Sequence, residues 1–349
     1  MPDNLSLSSF ELLGFSAVAL VASILLSRAM IAYAGRHRLV DVPNERSSHA
    51  APTPRGGGLA VVIVFMAGLV GLALYAGLQG GILIAVAGSG LLAALVGFVD
   101  DHCHLAARWR ASVHFAAAAW ALIWLGGYPT FASGFTIGVV LGNIFWLVAL
   151  VWFLNAFNFM DGIDGIAGAE GIFISGAAAV LLFLAGSGSL ASVSLLLMFA
   201  TAGFLVWNLP PARIFMGDVG SGFLGMLLGA VAIASVVQGS LTMWVFAILF
   251  AAFISDATIT VARRILRGKR WHSAHRSHAY QHASRIYGSH GKVTAAVSAI
   301  NVLWLFPLAF AAWGWPNLGW LFTAVAYAPL IVLLFCYRAG VEEVERGNS

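Results

Sequence analysis

Apolar residues fall along this chain in blocks about 20 residues long, the length that crosses a hydrocarbon core. Eleven such blocks run over 12–34, 57–77, 80–98, 111–126, 134–153, 166–186, 190–208, 219–237, 241–261, 293–314 and 318–337, the fourth being short and weak. The pattern predicts an all-α, polytopic transmembrane helical bundle of about 11 spans, folded as a single integral membrane domain over residues 1–349. The first block reads as a true span, because no basic stretch or small-residue cleavage pattern follows Met1.

The connections between blocks differ sharply in charge. Lys and Arg occur in 35–56, 99–110, 209–218 and 262–292 and near the C-terminus, whereas 78–79, 127–133, 187–189, 238–240 and 315–317 contain no charged residue. The positive-inside rule then places the basic connections in the cytoplasm, with the N-terminus outside and the C-terminus inside. Composition agrees: 60% of the 349 residues are hydrophobic and 9% charged, and mean hydropathy is +0.91. A soluble domain carries about 25% charged residues, so the bilayer is the main solvent. Cys103 and Cys336 are read as reduced thiols on the cytoplasmic side. The net charge of +4 gathers on that face and suits anionic headgroups or phosphates. No soluble basic module is present to bind nucleic acid.

Acids at a membrane edge are costly and mark function by default. Of the 14 Asp and Glu, Asp41, Asp100, Asp101, Asp161, Asp164, Asp218 and Asp256 all map to the basic side. Four blocks carry most of them. The first reads Asp41-Val-Pro-Asn-Glu-Arg46-Ser-Ser-His49, then Pro54-Arg55-Gly56-Gly57-Gly58; glycine backbone beside arginine suits phosphate oxygens. The second, Asp100-Asp101-His102 with Arg108 and Arg110 following, pairs carboxylates that repel unless a cation or hydrogen bonds hold them. A structural pairing with the two arginines is the plain alternative.

In the third block, Asn155, Asn158 and Asp161 recur every three residues, each about 60° round a helix from the last. They form a polar stripe at the end of span five, after which Gly162 and Gly165 break the helix around Asp164. Carboxylate and amide oxygens are ligands of the kind Mg²⁺ takes, with substrate phosphates completing its shell. The fourth block, Asn208-Leu-Pro-Pro-Ala-Arg213-Ile-Phe215-Met-Gly-Asp218-Val-Gly-Ser221, opens span eight, whose first N–H groups can face an anion. Asp218 there is equally an ordinary cap. The 262–292 loop adds eight Lys or Arg and five histidines, among them His275, His278 and His290. Some of these have zinc-like spacing, but a phosphate-binding loop fits the charge better. Asp256, within span nine, is expected to pair with Arg263 or Arg264.

Carboxylates crowded with arginines would repel a phosphate unless a divalent ion bridged them, which is the pattern of metal-assisted phosphoryl transfer. A site at the membrane edge implies one soluble and one lipid-borne reactant. Beyond that point the blocks themselves are informative as a set. Asp100-Asp101, Asn155-x-x-Asn158-x-x-Asp161-Gly-x-Asp164-Gly and Phe215-Met-Gly-Asp218-x-Gly-Ser221, in this order and topology, resemble the polyprenyl-phosphate N-acetylhexosamine-1-phosphate transferases of the WecA/MraY type over about residues 35–292.

The resemblance implies a UDP-N-acetyl sugar and undecaprenyl phosphate as substrates, UMP and an undecaprenyl-diphosphate sugar as products, and Mg²⁺, or Mn²⁺, as cofactor. It implies a multi-pass enzyme of the bacterial inner (plasma) membrane with a cytoplasmic active site, and it is compatible with a homodimer. By matching positions, Asn158 and Asp218 hold the metal, and Asp100, Asp101 and Asp161 are the catalytic carboxylates. Arg46, His49, Arg55, Asn155, Asp164, Asn208, Phe215, His275, Arg276 and His278 bind substrate. A phosphate monoester's second pKa is about 6, so the lipid phosphate can attack the β-phosphorus without a protein base. Where relatives carry His-x-His-His, this chain has His278-Ala-Tyr280-Gln281. That variant resembles the O-antigen-initiating branch rather than the peptidoglycan enzyme. The rival readings fit less well. A transporter or lipid flippase would place acids near the midplane and show internal repeats, and the Asp-Gly-x-x-Ala-Arg signature of CDP-alcohol phosphotransferases is missing after Asp161.

Overall fold

The computed structural model describes residues 9–37, 39–41, 52–75, 77–103, 105–127, 137–269 and 275–341. The elements are α1 (Ser9–His37), α2 (Gly58–Tyr75), α3 (Gly80–Cys103), α4 (Ala107–Leu125), α5 (Ile137–Met160), α6 (Ile166–Leu184), α7 (Gly188–Asn208), α8 (Asp218–Val237), α9 (Met243–Leu249), α10 (Ala251–Leu266), α11 (Ala279–Tyr287), α12 (His290–Ile300), α13 (Phe306–Gly314) and α14 (Gly319–Cys336). A π-helix, Asn301–Leu305, joins α12 to α13. The strands β1 (Val40–Asp41) and β2 (Thr53–Pro54) pair antiparallel, Val40 opposite Pro54.

The polytopic, all-α character is thus the predicted one, with fewer candidate spans than the 11 expected. Among the described residues nine helices are long and apolar enough to cross a membrane, and a tenth arises if α9 and α10, bent by 74°, count as one broken span. The weak fourth block is a 19-residue helix, α4, but Arg108 and Arg110 occupy its first turn and lower its apolar character. Both cysteines are free and exposed.

Helix α8 is the axis of the bundle: 94% of its apolar window is buried, against 17% for α5 and 22% for α14, whose outer faces are left to lipid. Without a hydrophobic drive between helices in lipid, close packing needs small residues at the crossings. Two such contacts set the geometry of one end. A Cβ on Gly97 of α3 would fall 2.3 Å from the Asp218 carbonyl oxygen, and one on Gly58 of α2 would fall 2.3 Å from Gly220 Cα of α8. Main chain therefore meets main chain at these crossings. Gly97 stands three residues before Asp100 and Gly58 three after Arg55, so the contacts draw the ends of α2, α3 and α8 together.

Candidate active site

The glycine crossings deliver charged side chains from four segments to one place. Arg55 follows β2 and lies with Nη2 2.8 Å from Asp101 Oδ1 and 3.7 Å from Asp218 Oδ1. Arg110, from α4, has Nη1 2.5 Å from Asp100 Oδ2 and 3.7 Å from Asp218 Oδ2. Asp218 thus sits between two guanidinium groups that each belong more closely to another acid. Arg108 is not among the partners; its guanidinium lies over the Trp109 ring at 5.8 Å.

Asp101 has a further task. Its Oδ1 accepts the Asp218 N–H at 3.1 Å and its Oδ2 the Val219 N–H at 3.2 Å. The anion at the start of α8 is therefore the protein's own carboxylate, from 117 residues earlier, in the favourable position for a helix N-terminus. Asp218 does not cap its own helix and keeps its side chain for the site. Asp100 is buried; besides Arg110 it accepts the Leu105 N–H at 2.6 Å.

The third block folds as the spacing predicts. Helix α5 ends at Met160 and α6 begins at Ile166, with Asp161 to Gly165 as the turn. Asn158 Oδ1 accepts a 2.5 Å hydrogen bond from Ser221 Oγ, tying the stripe to α8, while Asn155, one turn back, donates to the Val151 carbonyl. Among the described residues the Asp161 side chain has no hydrogen-bond or ion-pair partner. Burial, and then the neighbouring Asp218, push its carboxyl up to about 7 against the pull of Arg55. Burial works against the Arg55 charge, yet Asp101, Asp218, Asp41 and Asp161 hold its guanidinium above the ordinary arginine value. Acidic charge exceeds what the two arginines balance.

Asp164 and Asn208 knit the surrounding loops. Asp164 Oδ2 accepts the Ala212 N–H at 3.1 Å, and Asn208 accepts the Gly165 N–H while donating to the Ile214 carbonyl. Phe215 is half-buried, with its backbone N–H on the Pro54 carbonyl and its own carbonyl accepting the Gly57 N–H. The first and fourth blocks, 160 residues apart, are in this way one stitched unit. Arg46 and His49 lie outside the described residues.

The histidine loop packs its ends against α10. His278 is buried, its Nδ1 3.2 Å from Asp256 Oδ1, and its ring stacks on His275 with centroids 5.1 Å apart. Arg276 is exposed, its carbonyl accepting from Arg285. Asp256 pairs with His278, not with Arg263 or Arg264, because the start of α11 also supplies it with the Ala279 and Tyr280 N–H groups at 3.1 Å each. Arg263 instead donates to the Ala339 carbonyl. Helix α11 then touches the site through Tyr280, whose hydroxyl donates to the Phe159 carbonyl at 2.9 Å; burial raises that phenol well above its ordinary value.

Three residues escape a reading by blocks. Glu170, on α6, is buried and accepts from Asn301; an acid four residues inside an apolar block is itself a signal, though averaging over the block hides it. His290 lies beside Asp164, with Nδ1 3.2 Å from Oδ1. Tyr280 reaches Phe159 only through the chain's long-range folding.

The donor set suits a hard divalent cation. Asp161, Asp218 and Asn158 offer carboxylate and amide oxygens, and the unmatched negative charge is what such an ion would offset. No complete cage of three or more His, Cys, Asp or Glu is preformed among the described residues; Mg²⁺ ordinarily takes one or two carboxylates and draws the rest from phosphates and water.

Comparison with known proteins adds an independent line. Residues 82–236 match the Glycosyl transferase family 4 pattern. The chain is 30% identical over 316 residues to the decaprenyl-phosphate N-acetylglucosaminephosphotransferase of Mycolicibacterium smegmatis, covering 79% of this chain and 75% of that protein. It is 28% identical over 252 residues to the probable undecaprenyl-phosphate N-acetylglucosaminyl 1-phosphate transferase of Bacillus subtilis (69% and 68% covered). Over 344 residues it is 26% identical to the undecaprenyl-phosphate alpha-N-acetylglucosaminyl 1-phosphate transferase of Thermotoga maritima (94% and 97% covered). The match runs through the acidic blocks that converge at the ends of α3, α5 and α8, and the chain belongs to the polyprenyl-phosphate N-acetylhexosamine-1-phosphate transferase family.

Proposed function

We propose that this protein transfers an N-acetylhexosamine 1-phosphate from a UDP-sugar to undecaprenyl phosphate at the cytoplasmic face of the bacterial inner membrane, initiating O-antigen or a related cell-envelope polysaccharide. The observation that carries the reading is the convergence of Asp101, Asp161 and Asp218 with Arg55 and Arg110 at one end of the bundle. An oxygen of the ionised lipid phosphate forms the new P–O bond at the β-phosphorus of the UDP-sugar. The bond from that phosphorus to the oxygen bridging it to the α-phosphorus breaks, and UMP leaves with its electron pair. No proton has to be removed from the nucleophile, so the protein's task is charge and position. Arg55 and Arg110 offer donors to phosphoryl oxygens, and Asp101 fixes Arg55 and the start of α8. Asn158 and Asp218, with Asp161 beside them, would hold Mg²⁺ or Mn²⁺, which supplies charge neutralisation to the diphosphate.

An apolar cavity of about 410 Å³ begins at Met160, next to Asp161, and is lined by Phe253, Tyr280, Lys292, Val297 and Leu334 among others; it supports the lipid half of the reading. Tyr280 and Gln281, in place of two histidines, support a branch other than the peptidoglycan enzyme. A flippase would need acids near the midplane, whereas these gather at one end.

The test is to incubate membranes containing the protein with undecaprenyl phosphate, Mg²⁺ and a panel of UDP-N-acetyl sugars, then measure UMP release and the mass of the lipid product. UMP and a lipid heavier by one N-acetylhexosamine phosphate are expected with at least one donor. A lipid that changes leaflet without UMP release would replace the enzyme by the carrier.

A further inference from the structure

The turn that bears Asp161 has no helix of its own, so something must hold it. Helix α12 does this from one side at two depths. At its first residue, His290 Nδ1 lies 3.2 Å from Asp164 Oδ1. One turn on, Thr294 Oγ1 donates to the Asp164 backbone carbonyl at 2.9 Å. A nitrogen so near a carboxylate oxygen is best placed there as a donor, with the proton on Nδ1; the Asp164 N–H, 3.4 Å from the same nitrogen, could donate to it only in the other tautomer. The second depth lies where α12 passes into the π-helix. Asn301 Nδ2 donates to Glu170 Oε2, and both residues are 1% exposed. A π-helix re-aims a side chain within an otherwise regular run, and here it turns Asn301 onto α6, just beyond the turn. Helix α12 cannot slide along α6 without breaking this pair, so the height of His290 is set.

We propose that His290 is a positioning residue for the transfer reaction: by holding the Asp164 carboxylate it fixes the turn from which Asp161 faces the diphosphate. The inference rests on the proposed function above. His290 touches no reacting atom and acts through Asp164, which Ala212 holds by its other oxygen. Loss of the His290 donor leaves that carboxylate one anchor fewer beside an already crowded set of acids. Displacement of a reacting constellation by about 1 Å can cost on the order of 10²-fold in rate.

The experiment uses the full chain in detergent, comparing wild type with His290→Ala, His290→Gln and His290→Asn. The amide nitrogen of Asn falls near the place of Nδ1, whereas that of Gln mimics Nε2. UMP release against UDP-sugar concentration should show kcat lowered about 10- to 100-fold in the Ala and Gln variants with KM little changed, the mark of an interaction that matters in the transition state. His290→Asn should recover most of the loss. A kcat for His290→Ala within twofold of wild type overturns the inference, as do equal losses in all three variants. Hydrogen exchange of the 161–165 amides gives a readout that needs no turnover: faster exchange is expected in His290→Ala but not in His290→Asn, and unchanged exchange in the Ala variant also overturns it. Wild-type protein that releases no UMP with any donor defeats the proposed function instead, and the exchange result then judges His290 alone.

Discussion

Two acidic sites stand at the same end of this molecule and are built on opposite plans. At Asp256 both carboxylate oxygens have been given work by four donors: Oδ1 accepts from Thr260, Ala279 and His278, and Oδ2 from Tyr280. At Asp161 and Asp218, two acids from the turn after α5 and from the start of α8 meet beside arginines whose shorter contacts are to Asp100 and Asp101. A buried charge met by several donors is a fastening. Acids brought together without enough donors repel, and that cost persists only where something else is meant to enter. The same residue type is structural in one place and, on the proposed function, reactive in the other, and the donors around it decide which.

The largest expected effect separates the two by rate. Asp218→Asn or Asp161→Asn should lower UMP release by about 10²–10³-fold or more, the scale of removing a group that stabilises developing charge, while thermal unfolding in detergent stays where it was or moves upward. A variant that still turns over with unchanged Mg²⁺ dependence would remove these two residues from the site. Asp256→Ala should do the reverse, costing about 3 kcal/mol of stability because several buried donors lose their acceptor. Its kcat per folded molecule should stay within about tenfold of wild type. If activity vanished while the melting temperature held, Asp256 would belong with the reactive set.

Acidity sharpens the contrast further. The folded-state value of Asp161, about 7, lies above the ordinary 3.9 of an unfolded Asp, so the folded protein binds a proton that the unfolded chain has released. Stability of the metal-free protein should therefore fall by a few degrees of melting temperature as pH rises from about 4 to about 7, then level off. Asp161→Asn should have a shallower slope, and added Mg²⁺ should restore stability above pH 7; a melting curve flat with pH in the wild type contradicts the reading. The smallest effect concerns Glu170. Its Oε1 and Asn301 Oδ1 are both buried acceptors without a partner among the described residues. Glu170→Gln supplies a donor between them and should be neutral or stabilising by up to about 1 kcal/mol, whereas Glu170→Ala should cost about 2. Equal losses in both variants would mean that shape, not hydrogen bonding, matters there.

Much of the reactive site was legible in the residues because its signals are local. The Asn155, Asn158, Asp161 stripe follows from helical period, and the break after Met160 from Gly162 and Gly165. The one-sided gathering of acids follows from charge in the connections. The fastenings were hidden because each joins residues far apart in the chain. Nothing near Asp101 announces that it will meet the N–H groups of residues 218 and 219, and the helical neighbours Arg263 and Arg264 were more obvious partners for Asp256 than His278. The span count suffers from the same cause. Helix α4 is judged weak by its arginines, and α9 and α10 make one span or two depending on a 74° bend that no hydropathy profile contains.

The contact of Gly97 with the Asp218 carbonyl has a consequence for how such a protein can diversify. Because backbone abuts backbone there, the gauge between α3 and α8 is independent of side-chain rotamers. Substitutions beside it, as at Tyr280 and Gln281 on α11, can change the surroundings of the charged centre while that centre keeps its dimensions. Alanine at position 97 would instead widen that gauge itself, and every acid mounted on it would move at once.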